Sequence, residues 1–397
     1  MDQAAHWMDH VLPDVPVRQW VLSLPHEIRY RIAFIPKLQT EVRGVFMRAV
    51  QSWIKRRMRD LGFPGGRTGG VACVQRFDSA LRLDPHIHAL VLDGVYTGLE
   101  NGGEATFHPL PKPSDEDIEK LVRSLHSRVY GLLRRRGVLH ADEYEELTAL
   151  GLCQAAAVQG RIPFGKEAGG YDQREGRRRG GVAPRAKSRL CADYDGFSLH
   201  AAIRVPAGQR TRLERLCRYV LRAAIVEKRL SLTPRGRVRY AFKKEWRDGS
   251  SAIEMSVMTF LSRLAALIPA PRVNLVTYHG LLASAASYRD RVVPRAEEEV
   301  GDLCVKHQGS GVSDGGGGEA AKPYERKRRL LWSEAMKRGL GIDVLKCGHC
   351  GGRREVLKCI TDRKVIDRIL THLGLKTELP EVAPARAPPG SELLFEY

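Results

Sequence analysis

The amino-acid sequence predicts an α+β protein, an antiparallel sheet flanked by helices, with a small C-terminal module. Three observations predict it. Short apolar runs rich in β-branched and aromatic residues recur at 17–24, 71–77, 86–92 and 197–205. Longer segments with apolar residues at helical spacing lie between or beside them, at 38–61, 114–136 and 210–228. A glycine tract, Gly315-Gly316-Gly317-Gly318, sets the C-terminal segment apart from the rest of the chain.

Taken in order, Val17-Arg18-Gln19-Trp20-Val21-Leu22-Ser23-Leu24 reads as a strand ended by Pro25. From about Leu38 to Leu61, Val42, Val45, Phe46, Ala49, Trp53, Ile54 and Met58 form the apolar stripe of a helix. Arg43, Arg48, Lys55, Arg56 and Arg59 take its other faces. The glycines from Gly65 to Gly70 break that helix and lead into the strand Val71 to Phe77. The strand carrying His86 and His88 comes after a short loop, and strands so close in sequence pair antiparallel. Ser114-Asp115-Glu116-Asp117 reads as an N-cap with an acidic first turn, opening a helix to about Arg136. Residues 164–189 are a basic loop. Phe197 to Val205 is a further strand, Arg210 to Lys228 a helix, and 230–242 a hairpin around Pro234-Arg235-Gly236. The expected division is 1–62, a strand and basic helix joining the core; 63–300, the core; 301–322, a linker; and 323–397, a helical module with a Cys-x-x-Cys.

Composition narrows the function. The chain of 397 residues carries 65 Lys+Arg against 46 Asp+Glu, a net charge of +19, which points to a polyanionic partner, nucleic acid first. The cations cluster, at Lys55-Arg56-Arg57, Arg134-Arg135-Arg136, Arg177-Arg178-Arg179 and Arg326-Lys327-Arg328-Arg329, as phosphate binding requires. No apolar run is long enough to span a bilayer, and no signal peptide is evident. The eight cysteines are scattered but for one pair, as in a reduced compartment; a cytoplasmic protein is expected.

Two features carry chemistry. In Pro85-His86-Ile87-His88, strand alternation turns both imidazoles to one face, either as an ordinary strand pair or as half of a metal site. Tyr219 lies beside the apolar stripe of an arginine-rich helix, with Arg218 and Arg222 near it. It is either a boundary tyrosine or a nucleophile, which would need a metal or cations to stabilise the charge formed on attack at phosphorus.

These features, with Trp20 to Pro25, Gln75-Arg76-Phe77, Pro85 to Tyr96, Gly196 to Ala201, Leu213 to Arg222, Trp246-Arg247-Asp248-Gly249 and Tyr278-His279-Gly280, resemble the HUH-type endonucleases. More narrowly they resemble the rolling-circle transposases of the insertion sequence 91 type, relatives of Helitron transposases, over about residues 10 to 290. The resemblance implies an HUH endonuclease-like sheet and a metal-dependent tyrosine nuclease. His86 and His88 would help hold Mg²⁺ or Mn²⁺, although imidazoles also admit Zn²⁺. Tyr219 would attack single-stranded DNA at transposon ends, leaving a 5′-phosphotyrosine and a free 3′-hydroxyl, with Arg222 assisting. Gln75 is the first choice for a third ligand, with Asp78, His200 and Glu227 as alternatives. DNA contacts are expected from Arg56, Arg57, Arg177, Arg178, Arg179 and Arg218. The alternative readings are an inactive single-stranded DNA-binding protein, or a replication initiator or relaxase with the same chemistry.

Some relatives carry a second tyrosine four residues after the first. Position 223 here is Ala223, so strand transfer would need Tyr219 twice, a second subunit of a homo-oligomer, or a DNA hydroxyl. Relatives also often begin with a zinc-binding module, and the chain is expected to start just after it. Cys347 and Cys350, followed by Gly351-Gly352, resemble half a zinc ribbon. Cys359 and His372 could complete it, or the pair could be a structural turn with free thiols.

Overall fold

The computed structural model describes residues 2–100, 103–138, 148–175, 189–246, 248–271, 273–294, 332–355, 362–374 and 377. The chain divides into two units, Met1–Gly316 and Gly317–Tyr397. In the first, the described elements are α1 (Asp2–His10), β1 (Val17–Ser23), α2 (His26–Phe34), α3 (Pro36–Asp60), β2 (Gly69–Phe77), β3 (Leu83–Leu92), β4 (Gly94–Thr97), β5 (Thr106–Pro109), α4 (Asp115–Arg135) and α5 (Ala149–Gln159). They continue with β6 (Gln173–Glu175), β7 (Cys191–Tyr194), β8 (Phe197–His200), β9 (Arg204–Val205), α6 (Arg210–Val220), β10 (Leu230–Leu232), β11 (Val238–Ala241), β12 (Ala252–Met255), α7 (Val257–Leu267) and β13 (Val276–Gly280). The second holds α8 (Trp332–Leu340) and α9 (Arg363–His372).

The fold is α+β. The central sheet runs β13-β2-β3-β1-β8-β7, with β9 also on β1, and every pairing is antiparallel. Alternation along β1, β2 and β3 sorts their residues onto two faces. One face sends Trp20, Leu22, Ala72, Val74, Ile87, Ala89 and Val91 into a core shared with α2, α3 and α4. The other sends Val17, Val71, Cys73, Leu90 and Leu92 into a core with α1 and α6. The two histidines belong to this second face. A smaller sheet, β10-β11-β12-β6, packs with α7 through Val238, Tyr240, Ile253, Met255 and Phe260.

Local chemistry explains the elements that hold the site. Gly70, the second residue of β2, lies close against β3, where a Cβ would be 2.8 Å from the Leu90 carbonyl oxygen. Pro85 interrupts β3 without cost to the ladder because the register slips there: Gln75 pairs with His86 but Phe77 with Leu83. Ser114 and Asp117 form a capping box at the start of α4. Helix α6 ends at Val220, short of the expected Lys228. The ending is tertiary: Gln75 Nε2 donates to the Val220 carbonyl at 2.8 Å, where a longer helix would need that acceptor for itself. Helices α1, α2, α5 and α7 and strands β4, β5, β6, β7, β12 and β13 were not expected from the sequence. The 301–322 linker, the Arg326 to Arg329 cluster and residues 176–188 of the basic loop lie outside the described residues.

Candidate active site

The register fixes which side chains share the histidine face. On β3, His86 and His88 face the same way, their ring centroids 5.0 Å apart. Gln75 stands beside His86 and Cys73 beside His88 on β2. Ser23 and Val21 flank them on β1, and His200 on β8 pairs with Val21. Helix α6 covers this face and brings Tyr219, in its last turn, to His88: the rings meet edge to face at 6.0 Å.

Arg222 lies beyond the helix end, not on its surface, yet still reaches the tyrosine. Its guanidinium sits 4.7 Å from the Tyr219 ring centroid and 5.7 Å from that of Phe77. Tyr219 is 40% exposed, so its hydroxyl has access to a substrate from outside. The structure therefore brings together His86, His88, Gln75, Tyr219 and Arg222.

Each imidazole is oriented by its neighbours. His86 Nδ1 lies 2.7 Å from the Asp84 carbonyl, which can only accept, so Nδ1 carries the proton and Nε2 offers a lone pair. His88 Nδ1 lies 2.9 Å from the side-chain amide of Gln19, and its buried Nε2 has no hydrogen-bond partner among the described residues. Gln19 Nε2 is the atom facing Nδ1, an orientation that puts the proton of the neutral ring on Nε2; turning the amide so that Oε1 accepts from Nδ1 would free the Nε2 lone pair. Burial, with His86, Arg222 and His200 adding, pushes the His88 imidazole down to about 3, so it is neutral at physiological pH.

Gln75 is the third polar side chain of this face. Its Nε2 anchors the carbonyls at the end of α6, while its buried Oε1 is also without a partner among the described residues. Two nitrogens and a carboxamide oxygen suit a divalent ion. Among the described residues no group of three His, Cys, Asp or Glu could hold one, so an ion held here would need a third donor of another type. Asp78 is otherwise engaged: it accepts from the Ala80 and Arg82 amides and pairs with the Arg82 guanidinium at 2.6 Å. Glu227 stands exposed in a short 3-10 turn. Gln19 was missed by sequence reasoning, although its parity with Val21 on β1 puts it on the histidine face.

The remaining candidates are placed elsewhere. Arg56 and Arg57 are exposed on α3, on the opposite side of the sheet, with Arg57 3.9 Å from Asp117. Arg218 pairs with Glu214 at 2.9 Å along α6. Arg177, Arg178 and Arg179 lie outside the described residues. Tyr278 shares the histidine face on β13, where its hydroxyl accepts from Trp7 Nε1 at 3.2 Å. In the Trp246 motif, the Arg82 and Arg174 guanidiniums lie 5.1 and 4.7 Å from the Trp246 ring centroid, and Asp248 pairs with Arg174.

In the second unit, Cys347 and Cys350 form a tight knuckle. Cys347 N donates to the Gly352 carbonyl at 2.8 Å and Gly351 N to the Cys347 carbonyl at 2.9 Å. Backbone amides of Cys350 and His349, then the Arg354 guanidinium, draw the Cys347 thiol down to about 7. Cys359 lies outside the described residues, and His372 ends α9.

A phenol, two imidazoles and a guanidinium gathered on one face of an antiparallel sheet are side chains suited to phosphoryl transfer. The chain belongs to a transposase family: the model Y2_Tnp, described as "Putative transposase", matches residues 69–290, more than half of the chain. The matched span holds β2, β3, α6 and β13, and so every residue of the cluster except those on β1 and its flank. No curated protein and no solved structure matches the chain. DNA is the substrate that membership of a transposase family brings, and transposition its setting. Among the described residues no helix is long and apolar enough to cross a membrane.

Proposed function

We propose that this transposase nicks and rejoins single-stranded DNA at element ends through a phosphotyrosine link, as in rolling-circle transposition. The observation that carries the reading is the seating of the exposed Tyr219 against His88, with Arg222 over its ring. The Tyr219 oxygen forms a bond to phosphorus as the bond to the 3′ oxygen breaks. The 5′ side of the break stays on the tyrosine, and the departing 3′ oxygen takes up a proton, balancing the one lost by the phenol. Attack by a 3′-hydroxyl reverses the step and needs no external energy source, because the phosphotyrosine preserves the ester.

His86 Nε2, His88 Nε2 and Gln75 Oε1 would hold Mg²⁺ or Mn²⁺. The chemistry such an ion supplies is Lewis-acid polarisation of a phosphoryl oxygen. Arg222 places positive charge where the phosphorane charge develops, and Gln75 also fixes the end of the helix that presents Tyr219. Cys347 and Cys350 would contribute to a zinc site in the second unit.

The test is incubation with a single-stranded element-end oligonucleotide and Mg²⁺ or Mn²⁺. The reading expects a covalent adduct that disappears in Tyr219→Phe and falls by two or more orders of magnitude in His86→Ala with His88→Ala, roughly the scale of removing an electrostatic catalyst. Tight DNA binding without any adduct would favour an inactive binding protein.

A further inference from the structure

The side of the sheet away from the histidines carries a second cationic feature. Helices α3 and α4 lie antiparallel there, tied near one end by Arg136 with Glu41 and near the other by the Arg57–Asp117 contact. Between the ties runs a groove of about 450 Å³, lined by Val45, Arg48, Ser127, Arg128, Gly131 and Arg135. Its three arginines are exposed, and none pairs with a carboxylate among the described residues. Two cations nearer the start of α4 are paired, Lys120 with Glu116 and Arg123 with Glu119.

Spacing explains the convergence. On α4, Arg128, Gly131 and Arg135 share one stripe, and on α3, Arg48 and Lys55 share another. Small residues keep the floor open: a Cβ on Gly131 would meet only Arg135 Nη1, at 3.5 Å. Three like charges brought together without carboxylates repel one another until an anion enters. Among the described residues no aromatic ring lines the groove, so it lacks the aromatic platforms on which successive unstacked bases stack.

We infer that this groove is a second nucleic-acid site, which seats the phosphate backbone of duplex DNA flanking the nicked strand. It draws from the proposed function only that the partner is DNA, and it reads no base sequence. It lies across the sheet from Tyr219, so the two sites engage different parts of the DNA.

The test compares wild type with the triple variant Arg48→Gln, Arg128→Gln, Arg135→Gln. The measurements are the affinity for a 30-base-pair duplex of arbitrary sequence between about 50 and 200 mM salt, and adduct yield on a short single-stranded oligonucleotide. The inference expects the slope of log affinity against log salt to become shallower by about 2 to 3, with at least about tenfold weaker duplex binding at the lower salt. Adduct yield stays at the wild-type level. Gly131→Glu, which leaves all three arginines and puts a carboxylate into the groove, is expected to weaken duplex binding in the same direction and guards against misfolding of the triple variant. Unchanged affinity and slope in both variants would overturn the inference. So would an equal loss on the short single strand, which would assign the groove to that strand. If wild type forms no adduct while the duplex slope still changes, the nicking reading fails and the groove stands.

Discussion

His88 and His279 show how burial sets protonation at single residues in this fold. His279, beside Arg43 and Arg48, is pushed down to about 4 by burial first and by those guanidiniums second. The folded protein therefore resists protonating it, whereas the unfolded chain takes up a proton below about 6.5. Its contribution to stability is complete above pH 6.5 and is lost as pH falls toward 4. Urea unfolding should show a shallower acid loss over that window for His279→Gln than for wild type; parallel curves would contradict the assignment. Cysteines offer a second check. Burial raises Cys73 to about 11 and Cys217 to about 12, while Cys347 is drawn down to about 7 beside the exposed Cys350. Thiol labelling of the folded protein at pH 8 should reach Cys347 and Cys350 well before Cys73 and Cys217, and Zn²⁺ should slow it at the first pair. Equal labelling rates for all four would refute both points.

At the scale of elements, β2 is the strand on which helices end. Gln75, facing the histidine side, takes the Val220 carbonyl of α6. Arg76, facing the other, donates to the Ala33 carbonyl of α2 and the Ala266 and Leu267 carbonyls closing α7. Adjacent residues thus lock helices on opposite sides of the sheet. Gln75→Leu removes one lock and leaves the buried Val220 carbonyl only the weak Cys73 thiol donor at 3.7 Å, so unfolding free energy should fall by about 1–3 kcal/mol. A change within about 0.5 kcal/mol would mean that the end of α6 is held by something else.

The same elements show what the sequence could reveal. Strand β1, the His86 strand, the Ser114 cap of α4 and the β10-β11 hairpin were legible because each is specified by its own pattern. The end of α6 was not, since its cause stands 145 residues away on β2. Helices α5 and α7 escaped because their apolar residues do not form one clean stripe: Leu150 and Leu152 on α5, and Met258 and Leu261 on α7, are exposed. The histidine pair and Tyr219 could be named as candidates from sequence, but Gln19 could not, because its meeting with His88 depends on the pairing register of β1 and β3.

For the whole molecule, charge and topology act together. A chain of net charge +19 approaches DNA from any side, and the sheet gives its cations two separate addresses, Arg222 beside the tyrosine and the α3–α4 groove behind. The front address is where we propose that the chemistry takes place. Its most direct measurement is peptide mapping of the protein after reaction with a single-stranded element end and Mn²⁺. Trypsin cuts after Arg218 and Arg222, so the nucleotide mass is expected on Tyr219-Val220-Leu221-Arg222. A nucleotide found instead on the peptide holding Tyr278, or strand cleavage that leaves no tyrosine modified, would contradict the assignment of Tyr219 as the nucleophile.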